Sequence, residues 1–310
     1  MEQAAGYDQR IKNSLRYDLL FAEAGDVQRG ETGGMCMKGK FRRAGLLVVI
    51  LICLFACMAV SASADSNTAI WPEQTAVTNS AGSLLVDASG ASNGYFFASI
   101  SYKTNHRLKL RVIKDGTTFT YDLKTDATYE LFPLQLGTGY YEIHLYENVS
   151  GKKYAMAGSL GLYVTMENQD AAFLVPNQYL NYTKASEAVA KADEICAGKG
   201  EKEAYDAVCK FMSTSFVYDF IKAVTIKPSM LPDIDGSYAK RMGICQDLAA
   251  ITCAMLRTQG IPARMIIGYA DSQYHAWTMT KVNGKDVFFD PTAAISAISS
   301  VKEYSMERYY

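Results

Sequence analysis

The spacing of apolar residues changes once along this 310-residue chain, and that change constrains its fold more than any other feature. From Ser83 to Met166 apolar and polar residues alternate, the period-two spacing of strands. After Pro176 they recur every three or four positions, the spacing of helices. The first part holds Tyr95–Tyr102, Arg107–Lys114, Thr117–Leu123, Tyr129–Leu134, Tyr140–Tyr146 and Tyr154–Met166. Asp115-Gly116 joins the second and third of these as a two-residue hairpin, and Gly137, Gly139 and Gly151 mark further turns.

Short alternating strands with a turn roughly every ten residues predict a β-sandwich of immunoglobulin-like type over residues 75–168. Its His106 and His144 read as a turn residue and a strand residue with packing roles. The composition shift at 167–180 marks a linker, and 177–310 reads as a second domain, so the class is α+β. In that domain Thr183–Ala197 predicts a helix, with Thr183 as N-cap and Gly198 past its end. Glu201–Thr214 predicts another, with Tyr205, Val208, Cys209 and Met212 as its apolar stripe. Cys196 and Cys209 read as small hydrophobes on these helices, with a bridge between them as the alternative.

An uncharged apolar run from Ala44 to Val60 follows Lys38, Lys40, Arg42 and Arg43 and precedes Ser61-Ala62-Ser63-Ala64. That pattern is a secretory leader over 1–64, cleaved after Ala64. The expected location is therefore secreted or at the cell surface. An uncleaved anchor is the alternative and the one expected route to a membrane. Lipidation at Cys57, after Leu54-Phe55-Ala56, is a weaker third reading. Met35 or Met37 would begin a leader of ordinary length, so residues 1–34 read as an upstream extension or as the tail of an anchor. Three of the seven cysteines (Cys36, Cys53, Cys57) fall in or before this segment, and the other four make no dense disulfide framework.

A net charge of −1 leaves no electrostatic footprint for nucleic acid. Neither a G-x-x-x-x-G-K-[ST] loop nor a G-x-G-x-x-G turn occurs, and no cysteine–histidine pair has zinc-finger spacing. Neither metal nor cofactor is expected.

The chemistry concentrates in residues 241–292. Cys245–Gln259 is helical in pattern, with Leu248, Thr252, Met255 and Leu256 on one face and Gly260 and Pro262 ending it. Cys245 falls in the first turn, where unpaired N–H groups and the helix dipole favour a thiolate and a developing oxyanion. Cys253, in the helix body, lacks that setting and reads as core. Ala263–Ala270 predicts a strand, and Tyr274–Val282 and Lys285–Phe289 flank Asn283-Gly284, a type I′ turn signal. If Val282 faces Lys285, counting back sets Trp277 opposite Asp290, with His275 on the same face along the diagonal. Diagonal neighbours lie about 7–8 Å apart between backbones, which these two side chains can bridge. Thiol, imidazole and carboxylate are the parts of covalent acyl transfer, and Trp277 is placed to wall the site or simply to pack.

The runs G-I-C-Q-D, L-R-T-Q-G-I-P-A-R, G-Y, H-A-W and F-F-D-P-T resemble, in order and spacing, the transglutaminase-like superfamily. That family is a branch of the papain-like cysteine-enzyme fold. The resemblance covers about 200–295, and Tyr218-Asp219 is similar to the family's segment ahead of the nucleophile. It implies Cys245 as nucleophile, His275 as base and then acid, and Asp290 as orienter of the imidazole. Members that assist the oxyanion with a side chain point to Tyr238 as the nearest aromatic and Gln246 as the nearest amide. No calcium dependence is implied. The expected function is an exported cysteine hydrolase of peptide or amide bonds, working through a thioester on a protein or peptide substrate, with the cell wall as an expected setting. Acyl transfer to an amine is one alternative, and a surface binding module with a vestigial site is another.

Overall fold

Alternation places one side of each early strand in a shared core, and the register of the pairs shows which side. The computed structural model describes residues 69–76, 78–227, 229–296 and 303–310. The expected leader at 1–64 and its cysteines lie outside them. Strands β1 (Asn79–Ala81), β2 (Leu84–Asp87), β3 (Tyr95–Ile100) and β6 (Glu130–Pro133) form one antiparallel sheet in the order β1-β2-β3-β6. Strands β4 (Leu108–Lys114), β5 (Thr117–Leu123), β7 (Gly139–Ser150) and β8 (Lys153–Val164) form a second, ordered β5-β4-β7-β8. Leu84, Phe96, Leu110, Tyr121, Phe132, Ile143 and Leu145 are buried in one apolar cluster drawn from both sheets. Asp115 and Gly116 take positive φ and pair Lys114 with Thr117, the two-residue turn the sequence predicts. β7 runs on to Ser150, past the expected Tyr146, because a register shift at Leu145/Tyr146 lets it stay paired with β8.

The helical part contains α1 (Glu187–Cys196), α2 (Glu201–Ser215), α3 (Phe220–Thr225), α4 (Ile234–Lys240), α5 (Cys245–Arg257) and α6 (Pro291–Ser296). α1 begins three residues later than expected. Thr183 is spent on a preceding turn, where its hydroxyl accepts from Ala185 N and its carbonyl from Ser186 N. Ser186, in extended conformation, is the residue before the helix. Tyr205, Val208 and Met212 are buried along α2 as the stripe predicts, while Cys209 is half-buried. Cys196 and Cys209 are both free thiols, and burial pushes each pKa up, to about 12 for Cys209.

Every residue of α5 from Asp247 to Arg257 is buried, so this helix is the centre of the domain rather than an amphipathic layer on it. It ends where Gly260 takes φ +72 and Ile261 N closes back on Leu256 O at 3.1 Å. Below it lies an antiparallel sheet ordered β13-β12-β11-β14, from β11 (Ala263–Ala270), β12 (Gln273–Val282), β13 (Lys285–Phe289) and β14 (Tyr304–Tyr309). β14 has no counterpart in the sequence reading, because a six-residue segment of mixed polarity carries no clear period. Its approach to β11 depends on Gly268, where a Cβ would lie 2.0 Å from Ser305 O.

The buried Arg257 guanidinium ties this domain to its surroundings, donating to Ala263 O, Val175 O and Tyr310 O at 2.5–3.0 Å. Gln135 donates to Tyr309 O, which joins β14 to the strand-rich part, and Asp170 in the linker pairs with Arg264 of β11 and Lys281 of β12.

Asn283 and Gly284 both have positive φ, and Val282 pairs with Lys285. A Cβ at Gly284, where φ is +74, would meet nothing within 4 Å, so substitution there tests backbone conformation alone. Gly284→Ala is expected to lower unfolding free energy by about 1 kcal/mol. The measurement is a urea midpoint at unchanged slope, and an unaltered midpoint would remove the turn as a determinant of the register.

Candidate active site

The β12–β13 register runs without a bulge from Val282↔Lys285 to Thr278↔Phe289, which sets Asp290 next to the level of Trp277. His275 therefore shares a face with Asp290, and its Nε2 lies 2.8 Å from Asp290 Oδ2. Cys245, on the first turn of α5, lies near enough to the imidazole to raise its pKa. The structure thus brings together the three residues that the sequence reading assigned to one site. Cys245 is half-buried, and Cys253, eight residues along the same helix, is fully buried with a thiol pKa raised by desolvation to about 12.

Asp290 has two tasks, one on each oxygen. Oδ1 accepts from Thr292 N at 2.9 Å and Ala293 N at 3.1 Å, capping α6, which starts at Pro291. Oδ2 receives His275 and the Tyr304 hydroxyl, each at 2.8 Å. Burial opposes its ionisation, but His275, the Ala293 N–H and Tyr304 together hold the carboxyl below its ordinary pKa. His275 is pulled downward by burial, yet its bonds to Asp290 and Cys245 win and raise it from 6.5 to about 9. The imidazolium therefore persists at neutral pH.

Tyr304 is a residue the sequence reading missed, since it arrives on β14 from the far side of a segment without periodic signal. Trp277 is buried, stacked on His275 at 6.2 Å and edge-on to Tyr304 at 5.1 Å, so it fills the wall behind the imidazole.

The two oxyanion candidates stand elsewhere. Tyr238 is 2% exposed, packed between Phe211 and Phe216 under the Arg241 guanidinium, and is a core residue. Gln246 points its amide to Met230 O at 3.2 Å, which occupies it in holding a loop. The aromatic near the thiol is Tyr218. A short parallel pairing of β9 (Val217–Tyr218) with β10 (Met242–Gly243) sets Tyr218 beside Gly243, two residues ahead of Cys245. Burial, then the negative charges of Cys245 and Asp247, raise its phenol to about 12, so it stays protonated as a donor. Sequence spacing favoured Tyr238 because a strand pairing between residues 25 apart leaves no local mark.

Among the described residues no group of three or more His, Cys, Asp or Glu side chains is placed to hold a metal ion. None of the described helices is long and apolar enough to cross a membrane.

Residues 189–291 match the family model described as the transglutaminase-like superfamily. No curated protein matches the chain in sequence. Among solved structures, a candidate cysteine protease from Cytophaga hutchinsonii is 15% identical, with 70% of this chain and 83% of that one covered and a TM-score of 0.35. A candidate protease from Parabacteroides distasonis is also 15% identical, covering 66% and 62% with a TM-score of 0.31. The red sea bream transglutaminase is 12% identical, covering 72% of this chain and 50% of that one, with a TM-score of 0.27.

The raised His275 pKa has a signed consequence. Protonation of the folded site contributes stability fully below pH 6.5 and loses it as pH rises through about 9. An NMR titration of the His275 ring is expected to show a midpoint near 9, falling toward 6.5 in Asp290→Asn. A midpoint unaffected by that substitution would remove Asp290 as the imidazole's partner.

Proposed function

We propose that residues 189–291, which match the transglutaminase-like superfamily model, form a domain of papain-like fold and that the protein is an exported cysteine hydrolase of amide bonds in peptides or proteins. One observation carries the reading. The His275 ring is bonded to Asp290 at 2.8 Å, and the half-buried Cys245 thiol at the start of α5 lies near enough to it to raise its pKa.

In the reaction this supports, His275 already holds the proton as imidazolium, and the Cys245 thiolate adds to the substrate carbonyl. The oxyanion forms at the start of α5, facing backbone N–H groups and the Tyr218 hydroxyl. The C–N bond then breaks, and the imidazolium gives its proton to the departing amine, leaving a thioester on Cys245. Water adds to the thioester with its proton passing to His275, and the acid leaves as the thiol is restored. Asp290 holds the ring orientation throughout, and Tyr304 with the α6 N–H groups holds Asp290. The leader at 1–64 is the basis for export.

The strand-rich part is read as an immunoglobulin-like sandwich. Its sheet orders β1-β2-β3-β6 and β5-β4-β7-β8 support this, with the third and fourth strands in different sheets. So does Tyr141 near the start of β7, whose hydroxyl bonds Gly137 O at 2.8 Å and Leu136 N at 3.0 Å, a tyrosine-corner arrangement. Engagement of a protein partner or the cell wall is assigned to this part.

Cys245→Ala is expected to abolish cleavage of an amide substrate, and Asp290→Asn to lower kcat by roughly a hundred- to ten-thousand-fold. Mass analysis of a glutamine-containing peptide incubated with a primary amine distinguishes the outcomes. Water added across an amide, seen as two fragments or as glutamate with ammonia lost, supports hydrolysis; gain of the amine with loss of ammonia makes the protein a transferase, and no Cys245-dependent product makes it a binding module.

A further inference from the structure

One fully buried carboxylate beside the nucleophile is unused by the proposed reaction. Asp247 is 0% exposed on the first turn of α5, two residues after Cys245. Its Oδ2 accepts from Ile244 N at 3.0 Å and its Oδ1 from Asp233 N at 2.9 Å. Those bonds fix the chain on both sides of α4, and they leave a negative charge at the helix end where a thiolate is required. Like charges on one helix turn oppose each other. The compensating group is Lys222, whose Nζ lies 2.7 Å from Asp247 Oδ2.

Lys222 comes from α3, a six-residue helix without a buried residue, on which Phe220, Ile221 and Val224 are each at least 74% exposed. Apolar packing therefore does little to hold α3. Its attachments include the Phe220 ring edge-on to Tyr218 at 5.0 Å, the Asp219 cap on Lys222 N, the Asp219 N bond to Gly243 O, and the ion pair. Tyr218 immediately precedes this segment, so the same pair that neutralises Asp247 also anchors the residue facing the thiol.

We propose that Lys222 is a positioning residue for the thiol chemistry, pairing with Asp247 so that α5 can carry a buried carboxylate without suppressing the Cys245 thiolate. The inference rests on the reading of Cys245 as the nucleophile. The charged and titratable groups around Asp247 and Cys245 are Lys222 from α3, Tyr218 from β9, Asp219 before α3, Asp233 before α4 and His275 from β12. Asp219 and Asp233 are turned to backbone N–H groups of their own helices, at Lys222 and Gly236. Lys222 is thus the cation on Asp247. Gly243 permits the arrangement, since a Cβ there would sit 2.9 Å from Asp247 Cβ and 3.3 Å from its Oδ2.

The test is the pH dependence of Cys245 alkylation by iodoacetamide in the full chain, followed by peptide mass analysis, with the buried Cys253 as the internal sign of unfolding. Lys222→Met is expected to raise the pH of half-maximal alkylation by roughly one unit. Lys222→Arg should keep the wild-type profile, and Lys222→Met/Asp247→Asn should return to it, because both charges leave together. A Lys222→Met profile equal to wild type, or a double variant that stays shifted, overturns the proposal. If Lys222→Met exposes Cys253, the double variant decides alone: a wild-type midpoint supports charge compensation and a raised one rejects it. Alkylation needs no substrate, so this result is independent of whether amide hydrolysis is observed. A wild-type Cys245 that reacts no faster than Cys253 would instead sink the nucleophile assignment itself.

Discussion

The hydrogen-bond register of the β12–β13 hairpin is the constraint on which the site depends. A slip of one residue would turn Asp290 to the opposite face from His275, because side chains alternate along a strand. The register is held by a two-residue turn whose residues both adopt positive φ, and it is continued by Asp290 itself, which caps α6 the moment β13 ends. One carboxylate thereby links a hairpin, a helix and an imidazole. Tyr304 adds a fourth element by crossing from β14 to the same oxygen that holds His275.

The start of α5 is built with comparable economy of parts. Gly243 brings the chain in, Asp247 reaches back to the N–H of Ile244, and the parallel contact of β9 with β10 delivers Tyr218 alongside. The helix body behind is wholly buried, so its N-terminal turn cannot shift without moving the core of the domain. A rigid helix end facing a fixed imidazole is the geometry that preorganised thiol chemistry asks for. The tuning of charge there is distributed. His275 and Lys222 are cations, Asp290 and Asp247 anions, and each anion is backed by backbone N–H groups as well as by its cation.

Much of this was legible locally. The Asn283-Gly284 turn, the D-P-T cap-and-proline at 290–292, and the helix opening at Cys245 each carry their structural meaning within a few residues. Counting back from a tight turn was enough to put His275 with Asp290. What failed were inferences of proximity from sequence distance. Tyr238 is seven residues from Cys245 yet packs under Arg241 in the core, whereas Tyr218, 27 residues away, pairs with Gly243 and feels the charge of Cys245. Thr183 looked like a cap but closes a turn of its own, with Ser186 taking the position before the helix.

The sequence by itself determined the change from strand to helix period, the hairpin register, and the types of residue able to do thiol chemistry, because turn φ/ψ preferences and alternation act over neighbouring residues. Only the tertiary structure decided that Tyr304 supports Asp290, that Tyr218 rather than Tyr238 lies beside Cys245, and that Lys222 neutralises a buried Asp247. Those pairings are made between segments 14 to 27 residues apart, by strand pairing and burial. A side chain's own sequence neighbourhood holds no record of which distant group the packing will set against it.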